Sequence, residues 1–263
     1  MRIFARQFGA LGLCLSLILG ATCYQASAHD LWLELRDYTP EVGEDITLTL
    51  GYGHYLPARE FMTHVDLEEI YMLDDKGKRI EFERYSDVEF RGEDPLNEEG
   101  TYLVVARKKG GFFTKTTKGY KRGRSKKGLK NAIECSYSKK YTKAIVNVGK
   151  VGGKTFSNAL GHELEIIPLE NPGDLAEGDY LPVKVIFKGE PLSSSHVFAT
   201  YSGFSTEKNT FAYATKTNKD GIAKIKMLKS GVWLMTTYYE DAYPDPKECD
   251  QYKFASTLTF EVK

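Results

Sequence analysis

An all-β fold is predicted by three features of the 263-residue sequence. Apolar and polar residues alternate in short runs, glycine-containing turns separate the runs, and seventeen tyrosines and fourteen phenylalanines supply side chains that fit pleated surfaces. The expected architecture is two β-sandwich domains, immunoglobulin-like or transthyretin-like, over 29–155 and 156–263, behind a leader over 1–28.

The leader is read from Arg2 and Arg6, an apolar run over 8–21, and the small-x-small site Ala26-Ser27-Ala28. Cleavage after Ala28 predicts a periplasmic protein that starts at His29. Removing 28 of the 263 residues leaves 235, and it removes two arginines and no acids from totals of 36 basic and 36 acidic residues. The remainder is close to neutral, so composition argues against nucleic acid as a partner. No later apolar run is long enough to span a bilayer. Cys14 and Cys23 depart with the leader, and the remaining Cys135 and Cys249 can form one disulfide in an oxidising compartment, tying the two halves together.

The first strand is expected over 31–35, with His29 at its head, and a second over 46–50 with Ile46, Leu48 and Leu50 on one face. The second runs into Gly51-Tyr52-Gly53-His54-Tyr55-Leu56-Pro57, where glycines and proline end it and leave His54 in a loop. His64 follows within ten residues. Segments 67–73 and 79–82 read as a hairpin around Gly77, and 101–106 as a buried strand. Between Arg107 and Lys130 stand eleven lysines and arginines and no acid, with Phe112, Phe113 and Tyr120 among them. This basic stretch is expected to be an extended hairpin or loop, with docking of an acidic partner as its functional reading. Residues 152–159 are small and polar and mark the domain boundary. Seven strands follow, over 164–168, 181–187, 196–201, 211–217, 222–228, 232–238 and 254–262, separated by turn residues.

The chemistry centres on His29. A terminal histidine offers its α-amino nitrogen and its ring Nδ1 to one metal ion. His54, in a glycine loop that packs little, is the second ligand expected, with His162 or His64 adding a nitrogen and Asp30 orienting a ring. His196 begins a strand and reads as structural. Amine and imidazole donors suit nickel, cobalt and copper better than magnesium or calcium, and intrinsic affinity favours copper. No Ser-His-Asp, Cys-His or paired-carboxylate arrangement is evident, so a non-enzyme is expected.

Small-His-Asp-Leu-Trp-Leu at 28–33, Gly53-His54 with Pro57, the 135–149 segment, Gly161-His162-Glu163-Leu164-Glu165 and Gly231-Val232-Trp233-Leu234 together resemble a family of exported bacterial proteins. That family is classed as a domain of unknown function and is often associated with nickel and cobalt uptake transporters. The resemblance implies a periplasmic nickel- or cobalt-binding protein that assists a membrane transporter, with His29, His54 and His162 as the residues that would serve. The chain departs from the family pattern at Tyr239, where relatives often have histidine. The alternative expectation is a metal-free interaction module of the cell envelope.

Overall fold

The structure is a computed structural model that describes residues 29–263, so the expected leader lies outside the described residues. It is all-β. The first half contains β1 (Asp30–Leu35), β2 (Thr47–Gly53), β3 (Leu67–Leu73), β4 (Arg79–Arg84), β5 (Glu89–Gly92), β6 (Gly100–Thr116), β7 (Gly119–Arg122) and β8 (Ala132–Val148). The second contains β9 (Leu164–Pro168), β10 (Tyr180–Phe187), β11 (Glu190–Pro191), β12 (His196–Tyr201), β13 (Tyr213–Lys216), β14 (Ile222–Lys226), β15 (Gly231–Ala242) and β16 (Gln251–Val262).

One twelve-stranded sheet runs in the order β1-β2-β5-β4-β3-β6-β8-β16-β15-β12-β13, with β7 paired to β6. A four-stranded sheet joins β9, β10, β11 and β14. The basic stretch forms a hairpin, one of the two forms expected of it: β6 continues to Thr116 and turns into β7, which pairs back on it. Strands β5 and β7, four residues each, are too short for alternation to reveal.

The long strands β6 and β8 explain the layering. Tyr102, Val104 and Ala106 of β6, with Ala144, Val146 and Val148 of β8, face a core built with Leu31, Leu33, Leu48 and Leu50. Leu103, Val105, Tyr141 and Ile145 point to the other face, into a core with Leu164, Val183, Trp233 and Phe260. A strand buried on both faces reads as the continuous apolar run seen over 101–106. Each large side chain fully buried here contributes about 1.5–3 kcal/mol.

Strand β16 joins the halves. It pairs parallel to β8 over Gln251–Thr259 against Ser136–Ala144, and antiparallel to β15 along its whole length. The hydroxyls of Thr257 and Thr259 donate to the carbonyls of Leu31 and Leu33 at 2.6 and 2.8 Å. These bonds seat β1 across the face of the sheet and satisfy carbonyls that a neighbouring strand would otherwise take. Cys135 and Cys249 are disulfide-bonded at the entry to β16, where the Asp250 carboxylate accepts from the Cys135 amide at 2.7 Å. The expected boundary, 152–159, is a loop containing one short 3-10 turn, Thr155–Ser157, and the large sheet draws strands from both sides of it.

Candidate metal centre

His29 precedes β1, and His54 follows β2 by one residue. The antiparallel register sets Asp30 opposite Gly53, so the two histidines flank the same end of the hairpin. Their ring centroids are 4.7 Å apart. His29 is oriented by two further groups: Tyr52 stacks on its ring at 5.2 Å and 10°, and the Glu60 carboxylate lies 3.4 Å from Nε2. A carboxylate at Nε2 leaves Nδ1, the nitrogen that can chelate together with the residue's own backbone nitrogen.

His54 Nδ1 is buried and has no hydrogen-bond partner. Burial first, and the neighbouring His29 second, push the His54 ring below its ordinary value, so it is neutral at pH 7 and presents a lone pair. Beside it is a cavity of about 20 Å³, room for roughly one water molecule, lined by Asp30, His54, Tyr55, Thr200, Asn209 and Thr236 among others. Its walls come from both halves of the chain.

Asp30 forms the floor. Tyr238, on β15, donates its hydroxyl to Asp30 Oδ2 at 2.6 Å, while Oδ1 is buried without a partner. Burial raises the Asp30 carboxyl, and Lys140, Tyr238 and the two histidines oppose that rise. Lys140 is itself buried, and desolvation lowers its ammonium while Asp30 works against the fall. An unpartnered imidazole nitrogen and an unpartnered carboxylate oxygen at one small cavity fit a cation better than they fit a closed core.

Two of the four expected ligands are therefore brought together. His64 is engaged elsewhere: Arg84 Nη1 meets its Nε2 at 2.6 Å, and Asp87 lies 3.6 Å from Nδ1. His162 is buried against Tyr141, ring centroids 4.7 Å apart, and desolvation pushes it down to about 4. Among the described residues no group of three or more His, Cys, Asp or Glu side chains is placed to hold a metal. A third donor would be the amine that the expected cleavage after Ala28 would expose. His196 lies at the start of β12 and stacks on Phe198, as a structural residue does.

Tyr239, the departure from the family pattern, packs against Phe187 at 4.3 Å. Its neighbour Tyr238 is the one that faces Asp30, and strand alternation puts Tyr239 on the opposite face. A histidine there would not reach His29. Sequence reasoning missed Tyr238 and Lys140. The signal for Lys140 was present: it is in phase with Thr142, Ala144, Val146 and Val148, the inward face of β8.

No curated protein sequence matches the chain. Among solved structures, the D0-D1 domain of intimin is 12% identical, with 88% of this chain and 97% of that chain covered at a TM-score of 0.23. The Escherichia coli adhesin FdeC is 12% identical over 90% of this chain and 65% of its own, at 0.24. Titin domains are 10% identical over 90% and 66%, at 0.22. Scores this low carry no functional argument. The sequence profile of one family, described as a domain of unknown function (DUF4198), matches residues 26–241, a span that includes the histidine pair and Tyr238, and the chain belongs to that family.

Proposed function

We propose that the chain is an exported, periplasmic protein that binds one divalent transition-metal ion at a freed N-terminus and passes it to a membrane uptake transporter. Nickel or cobalt is the cargo, with copper its strongest competitor. The observation that supports this reading most is the apposition of His29 and His54 at 4.7 Å. His29 would supply amine and Nδ1, and His54 would supply a ring nitrogen held neutral by burial. Tyr52 and Glu60 hold the His29 ring. Asp30 places a carboxyl oxygen without a partner beneath the pair, its other oxygen fixed by Tyr238. The transporter as partner rests on the sequence resemblance described above and on nothing in the site's geometry. A site at the mouth of a hairpin, half open to solvent, suits a carrier that must also release its ion.

Calorimetric titration with nickel, cobalt and copper tests this, using protein cleaved so that His29 is first, beside protein with one glycine ahead of it and a His54→Ala variant. Tight one-to-one binding that weakens at least about tenfold in both altered forms is expected. Equal binding in the glycine form would remove the amine from the site. Absence of binding for all three ions would leave the metal-free envelope module as the better account.

A further inference from the structure

The ribbon made by the end of β6 and by β7, with the turn that follows over 123–131, carries charge of one sign. Between Lys115 and Lys130 there are eight lysines and arginines and no acid. Among the described residues Lys126 alone of the eight makes an ion pair, with Asp250, and it is also the only one that is partly buried. The other seven are exposed. With the eight set aside, the leaderless chain keeps 26 basic residues against 36 acidic, so the ribbon is set off from an acidic remainder. All four residues of β7 are exposed, which leaves cations on both faces of the strand.

The ribbon keeps its shape without using those charges. Thr114 donates its hydroxyl to the Arg124 carbonyl at 2.7 Å, and Thr116 donates to the Gly119 carbonyl at 2.6 Å and accepts from the Lys118 amide at 3.1 Å. Phe113 and Tyr120 stack at 4.9 Å and 26°, and Tyr120 is still 54% exposed. The pairing of Phe113 with Arg122 and of Lys115 with Tyr120 puts these four side chains on one face. Phe113 also stands opposite Ser136, and alternation along β8 leads from Ser136 to Lys140 and Ala144, so this is the face that carries β1 and the histidine pair. Arg122 is close enough to Tyr52, the ring stacked on His29, for its charge to oppose the rise that burial imposes on that phenol.

We propose that this ribbon docks the protein on an anionic phospholipid bilayer, its exposed cations meeting lipid phosphates and Tyr120 entering the headgroup layer. Six of the eight cations are lysines, point charges on flexible stems that suit a diffuse layer of phosphates, whereas fixed carboxylates are matched by arginine forks. Lysine is depleted at interfaces between proteins, which weighs against an acidic protein as the occupant. An edge strand needs some charge to keep it from pairing with another chain, but that need ends with β7, and Arg124, Lys127 and Lys130 lie beyond it. A tyrosine, with an apolar ring and a polar tip, fits the boundary between water and acyl chains. The acidic remainder is repelled by the same surface, which turns the ribbon towards it. Docking does not depend on metal binding; that it would hold the His29 site at the membrane rests on the function proposed above.

The test is co-sedimentation of the whole leaderless chain with phosphatidylcholine vesicles, with and without phosphatidylglycerol. Binding at least about tenfold tighter to the phosphatidylglycerol vesicles is expected at low salt, and high salt should weaken it by at least about tenfold. Lys118→Gln, Lys121→Gln, Arg122→Gln and Lys127→Gln combined should weaken it at least about tenfold, and Tyr120→Ser about threefold. Melting temperatures should be unchanged, because all five side chains are exposed. Lys216→Gln, Lys219→Gln, Lys224→Gln and Lys229→Gln combined remove the same charge from exposed positions in the second half and should leave binding within about twofold of the parent. Failure to bind phosphatidylglycerol vesicles overturns the proposal, as does equal binding to phosphatidylcholine alone. An equal loss in the second set of substitutions also overturns it, because net charge would then account for the binding. Displacement from the vesicles by soluble polyglutamate at matched charge would overturn it in favour of an acidic protein partner.

Discussion

Gly51 stands opposite Trp32 in the β1–β2 ladder, and the indole lies directly over it. A Cβ at residue 51 would come within 2.3 Å of the ring, and Trp32 is 1% exposed with no room to withdraw. Gly51→Ala is therefore expected to destabilise the protein by about 1–3 kcal/mol, the cost of overpacking a filled core. Equilibrium urea unfolding measures it, and no loss would mean that Trp32 has another rotamer available. The same close approach sets the strand end from which His29 and His54 face each other. Those two histidines were legible in sequence because each has a local mark, a preceding small-x-small sequence for one and flanking glycines for the other. Tyr238 was not, since its partner Asp30 is more than two hundred positions away and nothing in the local alternation distinguishes it from Tyr239.

At the scale of elements, β8 shows how one strand serves two cores. Its even-numbered inward residues reach β1, and its odd-numbered ones reach β9. Lys143 is among the latter, 2% exposed, and its ammonium lies 2.8 Å from Glu165 on β9, which is fully buried. Burial pulls the Lys143 ammonium below its ordinary value, and Glu165 works against that. Burial alone would raise the Glu165 carboxyl, but Lys143, the Leu160 amide and His162 together outweigh it and hold the group low. Glu165 also accepts from the amides of Leu160, Gly161 and His162 at 2.9–3.1 Å, which fixes the loop entering β9. Lys143→Met strands a buried carboxylate and should cost about 3–5 kcal/mol in denaturant unfolding. Adding Glu165→Gln should restore more than half of that loss, because the amide oxygen still accepts the backbone bonds. A double variant no better than the single one would show that the pair contributes more than charge balance. The strands themselves were readable from alternation, most of them to within a few residues. Their lengths were not: β6 and β8 run to 17 residues each because each is held on both sides, and a polar basic sequence such as 107–116 carries no mark of that support.

Across the whole molecule, the disulfide closes a sequence separation of 114 residues. In the chain-entropy description a loop of that size adds about 5 kcal/mol by restricting the unfolded chain. Cys135→Ser with Cys249→Ser should lower the unfolding free energy by about that amount, with the native far-UV spectrum retained; a loss below about 1 kcal/mol would show that the unfolded chain is already compact there. Pairing of the two cysteines was legible from their number and from the compartment that the expected leader implies. The sheet order was not, because the β8–β16 register lies between segments more than a hundred residues apart and neither strand's pattern names its partner. That register has a consequence for the order in which the molecule can be made. The strand farthest along the chain is not at the rim of the large sheet but inside it, between β8 and β15, so every shorter length of chain presents two open strand edges where β16 belongs. A chain that emerges from one end cannot close this sheet before β16 arrives, and until then it is better kept unfolded than allowed to close around the gap.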